Sequence, residues 1–269
     1  MFIDILKSIF LGGVEGITEF LPISSTGHLI LLNQWISFDP GFTKTFDIII
    51  QLGAILAVIV YFWPKLWPFN KDEIKKKEIF NIWYMTIIGV IPAIIIGGIL
   101  GSFIEKRLFN PWVVAGALII GGLILIYIER KKIQSRFDSV SSMPMLIIFF
   151  IGLIQCFSMI PGTSRSAATI IGAIILGASR TAAVEYSFFL AIPTMIAASG
   201  YSLLKHGLVM RGGEVILLIV GFITAFFVAL VVIKYFIKYI QSHNFIPFAY
   251  YRVALGVLVL IYFLFIFNN

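Results

Sequence analysis

The sequence is poor in charge and has almost no cysteine. Charged residues make up 12% of its 269 positions, whereas hydrophobic residues make up 60%. A soluble domain needs a largely polar surface, so this composition excludes a soluble globular protein and indicates a chain surrounded by lipid. The single cysteine, Cys156, excludes an internal disulfide bond, and its apolar neighbours are typical of a packed thiol.

Six apolar stretches are long enough to cross a bilayer, because a hydrocarbon core about 30 Å thick requires about 20 apolar residues in one helix. The predicted spans are Phe46–Trp63, Trp83–Phe103, Trp112–Ile128, Glu185–Leu204, Val215–Ile233 and Tyr250–Phe267. No basic start or small-residue cleavage site accompanies the first apolar run, so we expect no cleaved signal peptide. The sequence therefore predicts an all-α polytopic membrane protein in which residues 1–269 form a single membrane domain.

The net charge of +7 does not indicate nucleic-acid binding, because many basic residues lie in two short loops between spans. One loop contains Lys65, Lys71, Lys75, Lys76 and Lys77, and the other contains Arg130, Lys131, Lys132 and Arg136. Short basic loops are typical of the cytoplasmic side, where they can also contact the headgroups of membrane lipids. This topology places Ile104–Pro111, Lys205–Glu214 and both chain termini outside.

Two further apolar stretches, residues 4–32 and 145–178, are interrupted by polar clusters. Pro22 and Pro161 each remove a backbone donor and break a helix. A broken helix at membrane depth is tolerated only where it lines a protein-enclosed or water-filled cavity. We therefore predict two re-entrant helical hairpins, here called the first and second hairpin segments, with tips that meet near the middle of the membrane.

The hairpin segments open two halves of the chain that resemble each other, residues 1–130 and 140–269. The matches pair Gly16 and Glu19 with Gly152 and Gln155, Asp47 with Glu185, and Gly121–Tyr127 with Gly256–Tyr262. Each half contains three full spans, and an odd number turns the second half upside down relative to the first. The sequence therefore predicts an inverted-topology repeat of the kind found in transporters.

Two acidic residues, Glu15 and Glu19, lie four positions apart on one face of the first hairpin segment. Charge inside a membrane segment is costly and marks a functional site. Two carboxylates at this spacing can bind a divalent cation, Mg²⁺ or Ca²⁺, through oxygen ligands. The alternative is that one of the two carboxyl groups carries a proton.

A hydroxyl cluster with one histidine follows in the same segment. Ser25 and His28 are three positions apart, which predicts a hydroxyl nucleophile with a base beside it, oriented by Glu19. His28 as the nucleophile and direct attack by metal-activated water are the open alternatives. Ser24 and Thr26 either bind phosphate or satisfy backbone groups freed at the helix break.

The second hairpin segment contains Arg165 in a run of glycine and hydroxyl residues. A guanidinium is planar and matches phosphate oxygens with bidentate hydrogen bonds. The predicted phosphate-binding residues of this segment are Gly162, Ser164, Arg165, Ser166 and Thr169. The alternative role of Arg165 is an ion pair with Glu15, Glu19 or Asp47.

Three polar residues near the starts of two spans complete the set of candidates. Asp47 and Gln51 are one helical turn apart, and Glu185 opens a later span. We expect all three mainly to form structural hydrogen bonds to the hairpin segments, with a direct part in the site as the alternative for Asp47 and Gln51.

These motifs resemble the two signature regions of the undecaprenyl-diphosphate phosphatase (bacitracin-resistance protein) family. The first reads GVEGITEFLPISSTGHL at Gly13–Leu29, with the family's Glu-x-x-x-Glu and Ser-Ser-Thr-Gly-His patterns. The second reads PGTSRSAAT at Pro161–Thr169, with its Pro-Gly-x-Ser-Arg-Ser pattern and Ala167 where glycine is common. FDIIIQLGAILAVIVYFW at Phe46–Trp63 is also similar to the family's next segment.

The resemblance implies removal of the terminal phosphate from a C55 isoprenyl diphosphate, which gives the monophosphate lipid carrier of cell-wall synthesis. It also implies a bacterial plasma membrane, a site open to the outer face and dependence on a divalent cation. A polyprenyl-phosphate transporter or flippase is the alternative, because inverted repeats commonly serve alternating access. A nucleophile beside a base favours the hydrolase, and a purely structural role would leave the buried charges unexplained. The oligomeric state stays open, and a homodimer is compatible with the sequence.

Overall fold

A computed structural model of the protein describes residues 1–69, 72–207 and 212–267. These residues form helices and short connections, and no strand occurs among them. The α-helices are α1 Phe2–Thr18, α2 Ser25–Leu32, α3 Pro40–Tyr61, α4 Trp63–Leu66, α5 Glu73–Leu108, α6 Pro111–Lys131, α7 Met145–Gln155, α8 Arg165–Ile175, α9 Arg180–His206, α10 Val215–Ile240 and α11 Ile246–Phe267. The predicted all-α class is confirmed.

Six of the described helices are long and apolar enough to cross a membrane, namely α3, α5, α6, α9, α10 and α11. Five of them contain a predicted span completely, and α3 contains all but the last two residues of Phe46–Trp63, so the multi-pass prediction is confirmed at this level. Lys71 of the first basic loop and residues 208–211 of the predicted outer loop lie outside the described residues.

The starts of the long helices follow from local sequence. Asp72 accepts hydrogen bonds from two backbone N–H groups in the first turn of α5, and Asn110 accepts one from Val113 at 3.0 Å in α6. Pro111 occupies the first turn of α6, where its missing N–H costs nothing. These caps satisfy N–H groups that have no partner within the helix.

Both hairpin segments are broken helices at the predicted positions. In the first, α1 ends at Thr18 and α2 begins at Ser25. In the second, α7 is followed by the 3₁₀ turn Cys156–Met159, and α8 begins at Arg165. Pro22 lies within the first break. The two proline-containing breaks therefore separate short helices instead of kinking continuous ones.

A serine with the same unusual backbone stands at each break. Ser24 has φ = 72° and Ser164 has φ = 71°, a left-handed conformation that residues other than glycine rarely adopt. Each hydroxyl accepts a hydrogen bond of 3.2 Å from the backbone N–H three residues later, at Gly27 or Ala167. The same strained cap therefore starts both α2 and α8.

Glycines allow helix backbones to approach closely at two helix crossings. A Cβ at Gly12 of α1 would lie 2.6 Å from the carbonyl oxygen of Gly221 in α10. A Cβ at Gly152 of α7 would overlap the carbonyl of Gly89 in α5. Small residues at such crossings are typical of helix packing in membranes.

The packing of α6 against α11 is reciprocal. A Cβ at Gly122 would lie 2.8 Å from the carbonyl oxygen of Ala249, and one at Gly256 would lie 3.0 Å from that of Ala115. The C-terminal part of each helix therefore contacts the N-terminal part of the other, so α6 and α11 run antiparallel.

The ends of α3 and α9 are joined by an ion pair. Lys65, just after α3, contacts Glu185 near the start of α9, so these two packed helices also run antiparallel. Glu185 was expected to hydrogen-bond a hairpin segment, and this expectation is wrong. The reason is that the first turns of α9 lie beside the end of α3.

Candidate functional site

The C-terminal end of α1 and the N-terminal ends of α2 and α8 lie together next to α3 and α9. The predicted site residues converge there. Ser166 connects the two breaks, because its hydroxyl donates to the carbonyl of Leu21 at 2.8 Å. Gly162, with φ = 91°, lies so close to the carbonyl of Val114 that a Cβ would overlap it. This position therefore requires glycine both for its backbone conformation and for space.

Glu19 is the centre of the polar cluster. One carboxylate oxygen accepts a hydrogen bond of 2.6 Å from the hydroxyl of Ser25. The other accepts a charge-assisted bond of 3.0 Å from Arg165. Both Glu19 and Ser25 are buried. One carboxylate thus joins the predicted nucleophile to the predicted phosphate-binding cation.

Arg165 has both of its terminal nitrogens bound to the protein. Nη1 donates to the carbonyl of Ser187 at 2.9 Å, and Nη2 donates to Glu19. The guanidinium also lies 5.9 Å from the ring centre of Phe20, within cation–π range. Its buried Nε–H has no protein partner. The ion pair considered from the sequence is therefore present, and both terminal nitrogens, which a bidentate phosphate contact would use, are bound to the protein.

His28 contacts neither Ser25 nor Glu19 through its ring nitrogens, contrary to expectation. Nδ1 lies 2.7 Å from the carbonyl oxygen of Ser24, and Nε2 lies 2.7 Å from the hydroxyl of Tyr251. A carbonyl only accepts, so Nδ1 carries the proton and Nε2 accepts from Tyr251. The imidazole ring also stacks on that of Tyr251, with centroids 5.6 Å apart. His28 is thus oriented by α11, and Glu19 takes the place beside Ser25.

Glu15 is buried without a hydrogen-bond partner for either carboxylate oxygen. It lies within electrostatic range of Glu19, Asp47 and Arg165. Asp47 accepts a hydrogen bond of 3.1 Å from Asn33, just after α2, which agrees with the structural role expected for it. Its second oxygen has no hydrogen-bond partner. Buried carboxylate oxygens without donors are suited to a hard cation.

The described residues contain no group of three or more His, Cys, Asp or Glu side chains that could hold a metal ion. A cation bound at Glu15 and Glu19 would therefore need further oxygen ligands from water or from a phosphate. Mg²⁺ binds in this manner, with few carboxylates and several waters or phosphate oxygens.

The remaining hydroxyl candidates are mostly bonded to protein. Ser24 and Ser164 cap their helices, and Ser164 also lies 3.0 Å from the hydroxyl of Ser166. Thr169 lies 2.7 Å from the hydroxyl of Ser187. Thr26 is exposed, and Gln51 is half-buried one turn after Asp47. A part for Ser24, Thr26, Ser164, Ser166 and Thr169 in phosphate binding, and for Gln51 in the site, stays a prediction.

Four residues at the cluster were absent from the sequence-based candidates: Asn33, Ser187, Tyr251 and Arg252. Asn33 and Ser187 lie outside the recognised motifs and could not have been distinguished from other polar residues. Arg252 could have been found, because an arginine inside an apolar span is itself a functional signal. Tyr251 precedes it directly.

Comparison with known proteins gives consistent matches. The family described as "Bacitracin resistance protein BacA" matches residues 8–258 of this chain. The chain is 48% identical to the "Undecaprenyl-diphosphatase" of Lachnoclostridium phytofermentans, with 98% of each chain covered. It is 48% identical to "Undecaprenyl-diphosphatase 1" of Oenococcus oeni and 45% identical to the "Undecaprenyl-diphosphatase" of Enterococcus faecalis, each with 97% of both chains covered.

Proposed function

This chain belongs to the bacitracin resistance protein BacA family, and we propose that it is an integral membrane phosphatase that hydrolyses undecaprenyl diphosphate. The products are undecaprenyl phosphate and inorganic phosphate, so the enzyme recycles the lipid carrier for cell-wall synthesis. Removal of the carrier's diphosphate form is also the property expected of a protein that confers resistance to bacitracin. Support comes from relatives named undecaprenyl-diphosphatase that match nearly the full length of the chain.

The observation that carries the proposal is the chain of contacts from Ser25 through Glu19 to Arg165. In the proposed reaction, the Ser25 oxygen attacks the terminal phosphorus while Glu19 takes the hydroxyl proton. The bond from this phosphorus to the bridging oxygen breaks, and undecaprenyl phosphate leaves with the electron pair. Water then hydrolyses the phosphoserine and releases inorganic phosphate. Arg165 neutralises the charge on the transferred group, the main task in phosphoryl transfer.

A divalent cation is the proposed cofactor, with Glu15 and Glu19 as its ligands. The partnerless buried oxygens of Glu15 and the free oxygen of Asp47 support this proposal. When bound, the cation would neutralise charge on the diphosphate.

We further propose that the two halves form an inverted repeat in which α1–α2 and α7–α8 are re-entrant hairpins. The reciprocal contacts of α6 with α11 and the antiparallel arrangement of α3 and α9 support inversion. The two left-handed serine caps support equivalence of the breaks. The second arm of each hairpin is also too short to cross a bilayer, since α2 has 8 residues and α8 has 11.

The contacts favour a different register of the repeat from the sequence matches. The two left-handed serine caps pair Ser24 with Ser164, and this register pairs Gly12 with Gly152, whereas the sequence comparison paired Gly16 with Gly152. In the same register, Ser25 is equivalent to Arg165 and Asp47 is equivalent to Ser187. In this register Asp47 has no relation to Glu185, which explains why the two residues have different surroundings.

The proposed location is the bacterial plasma membrane, with the site open toward the outer face. Support comes from the two basic loops, which favour a cytoplasmic position for the end of α3 and the end of α6. The first hairpin segment would then enter from outside, because it precedes the outer start of α3. A homodimer is compatible with this arrangement, and a transporter is not favoured, because translocation requires neither the Ser25 hydroxyl nor a base bonded to it.

The decisive experiment measures phosphate release from farnesyl diphosphate and from undecaprenyl diphosphate by purified protein in detergent. We expect release with Mg²⁺ or Ca²⁺, loss of release in Glu19→Gln, and wild-type release in Glu73→Gln, which changes an exposed acid. Wild-type protein that releases no phosphate with either ion would overturn the phosphatase and favour the transporter.

A further inference from the structure

Arg252 in α11 is the largest side chain that is completely buried in the described part of the protein. Its partners are backbone carbonyl groups rather than a carboxylate. Nε donates to Leu118, Nη1 to Pro22, and Nη2 to Ala117, Gly162 and Thr163, at 2.9–3.4 Å. A buried cation at membrane depth is costly, so such a side chain requires a specific reason to be there.

The identity of the carbonyl groups gives that reason. Pro22 lies in the break of the first hairpin segment, and Gly162 and Thr163 lie in the break of the second. Carbonyl groups at helix breaks have lost their helical partners and must be satisfied by other donors where water is absent. One guanidinium thus binds both breaks, and Ala117 of α6 as well.

The carbonyl groups are also close in sequence to the reacting groups. Pro22 precedes Ser25 by three positions, and Thr163 precedes Arg165 by two. A shift of either break would therefore change the separation of the Ser25 hydroxyl from the Arg165 guanidinium. Arg252 itself is fully buried and has donors engaged on three nitrogens, so it is not placed to bind the diphosphate directly.

We propose that Arg252 is a positioning residue, which fixes the two hairpin breaks relative to each other and so sets the distance between Ser25 and Arg165. This inference rests on the proposed phosphatase function for its kinetic consequence. The tie between the two breaks is a physical claim that can be measured without any substrate.

Gly121 of α6 offers a way to disturb Arg252 without changing it. A Cβ at Gly121 would overlap Nη2 of Arg252 and lie 2.9 Å from its Cζ. The guanidinium could move away only by losing carbonyl partners. Gly116, on the same helix, has no atom within 4 Å of an added Cβ, so Gly116→Ala is the matched control.

The kinetic test compares Arg252→Lys, Gly121→Ala, the double variant and Gly116→Ala in detergent with the same isoprenyl diphosphate. We expect kcat to fall by about 10–100-fold in both single variants, with KM changed less than about threefold, because small misplacement of reacting groups affects mainly the chemical step. Gly116→Ala should match wild type. Lysine is shorter and presents no fork, so adding Gly121→Ala to Arg252→Lys should cost less than about threefold more.

The physical test places spin labels at Gln34→Cys, after α2, and at Ile175→Cys, at the end of α8, in a Cys156→Ser background. Both positions are exposed. The distribution of distances between the labels should broaden in Arg252→Lys and Gly121→Ala and stay narrow in Gly116→Ala. This measurement reports the relative position of the two hairpin segments whether or not the protein is active.

The outcomes separate the two claims. Distances that broaden in Arg252→Lys and Gly121→Ala, together with a wild type that releases no phosphate, would support the tie and overturn the phosphatase. Unchanged distances together with wild-type kcat in an active enzyme would overturn the tie alone. A lower melting temperature with unchanged kcat would make Arg252 merely structural, and a rise in KM alone would make it a substrate ligand. Either of these results also overturns the positioning role.

Discussion

The carboxylate of Glu19 lies 3.0 Å from the guanidinium of Arg165, although 146 residues separate them in the chain. Both side chains are largely buried, with 5% and 10% of their surfaces exposed. A buried ion pair is strongly destabilised when one partner is lost, because the remaining charge has no compensation. The two hairpin segments therefore depend on each other for the charge balance of the site.

Arg165→Lys should lower kcat/KM by about 100-fold or more, although the positive charge is kept. The guanidinium contacts Ser187 and Glu19 with different nitrogens, and a single ammonium cannot reproduce this geometry. Arg180→Lys is the matched control, because Arg180 forms a two-nitrogen pair with Glu129 away from the cluster. The control should keep its activity, and near-wild-type turnover in Arg165→Lys would contradict the requirement for a guanidinium that contacts Ser187 and Glu19 together.

Ser25 should accumulate a phosphoryl group when the reaction is stopped with acid during turnover. Its hydroxyl donates to Glu19 at 2.6 Å, within the reach required of a general base. Mass spectrometry after acid quench should locate phosphoserine at Ser25. Phosphohistidine is acid-labile, so His28 is tested after alkaline quench. If neither adduct appears and Ser25→Ala keeps more than about a tenth of the rate, water attacks phosphorus directly.

Tyr251→Phe tests the separate role of His28. The change removes only the hydroxyl that donates to Nε2 and keeps the stacked ring. If His28 only holds α2 against α11, activity should fall less than about threefold. A loss of about 100-fold, similar to that of His28→Ala, would instead assign proton transfer to the His28–Tyr251 pair. Steady-state kinetics of the two variants in parallel distinguishes these results.

Glu15→Gln should weaken divalent-cation binding by about tenfold or more. Both oxygens of Glu15 are buried without a hydrogen-bond donor. The substitution therefore removes a cation ligand without breaking a hydrogen bond to the protein. The measurement is the rise in melting temperature of the purified protein with increasing Mg²⁺ or Ca²⁺, which does not depend on activity. Asp39→Asn, at the exposed start of α3, serves as the control. A metal titration unchanged by Glu15→Gln would assign proton transfer to this carboxyl group instead.

Gly152→Ala should lower the apparent melting temperature by about 4 °C or more, because the added methyl group overlaps the backbone of α5 and the two helices must separate. Gly13→Ala should leave the melting temperature equal or slightly higher. No atom lies within 4 Å of a Cβ at Gly13, and alanine favours the helix. Equal stability of both variants would contradict the close crossing of α7 and α5.

Cysteine labelling should place the two basic loops inside the cell. In a Cys156→Ser background, a cysteine at Lys75 should be protected from a membrane-impermeant reagent in intact cells, and one at Lys106 should react. Both positions are exposed and lie at opposite ends of α5. The reverse pattern would invert the topology and move the site entrance to the cytoplasm.

The spans and the location of the site could be predicted from the sequence, whereas several contacts within the site could not. Hydrophobicity alone marks α3, α5 and α6, because lipid demands an uninterrupted apolar run. The partner of Ser25 depends instead on the turn between Thr18 and Ser25, whose course includes a left-handed serine. No local pattern determines that this turn brings Glu19 to Ser25 and sends His28 toward α11.

Contacts between distant segments show the same limit. Arg252 meets Pro22 across 230 residues and Thr163 across 89. A composition argument can mark it as unusual in an apolar span, but it cannot identify which carbonyl groups it binds. Asp47 and Glu185, which were matched because both are acidic residues near the start of a span, bind different partners, Asn33 and Lys65.

The matching serine caps at Ser24 and Ser164 place Ser25 and Arg165 immediately after them, at the same position of α2 and α8. An assembly of two identical chains would carry the same residue at both places, either two hydroxyl groups or two guanidinium groups. A single chain with two copies of the segment is free of that restriction, because each copy can mutate independently. In the proposed repeat, two copies of the segment within one chain can therefore carry the unlike pair of Ser25 and Arg165, which a symmetric dimer of identical chains cannot carry.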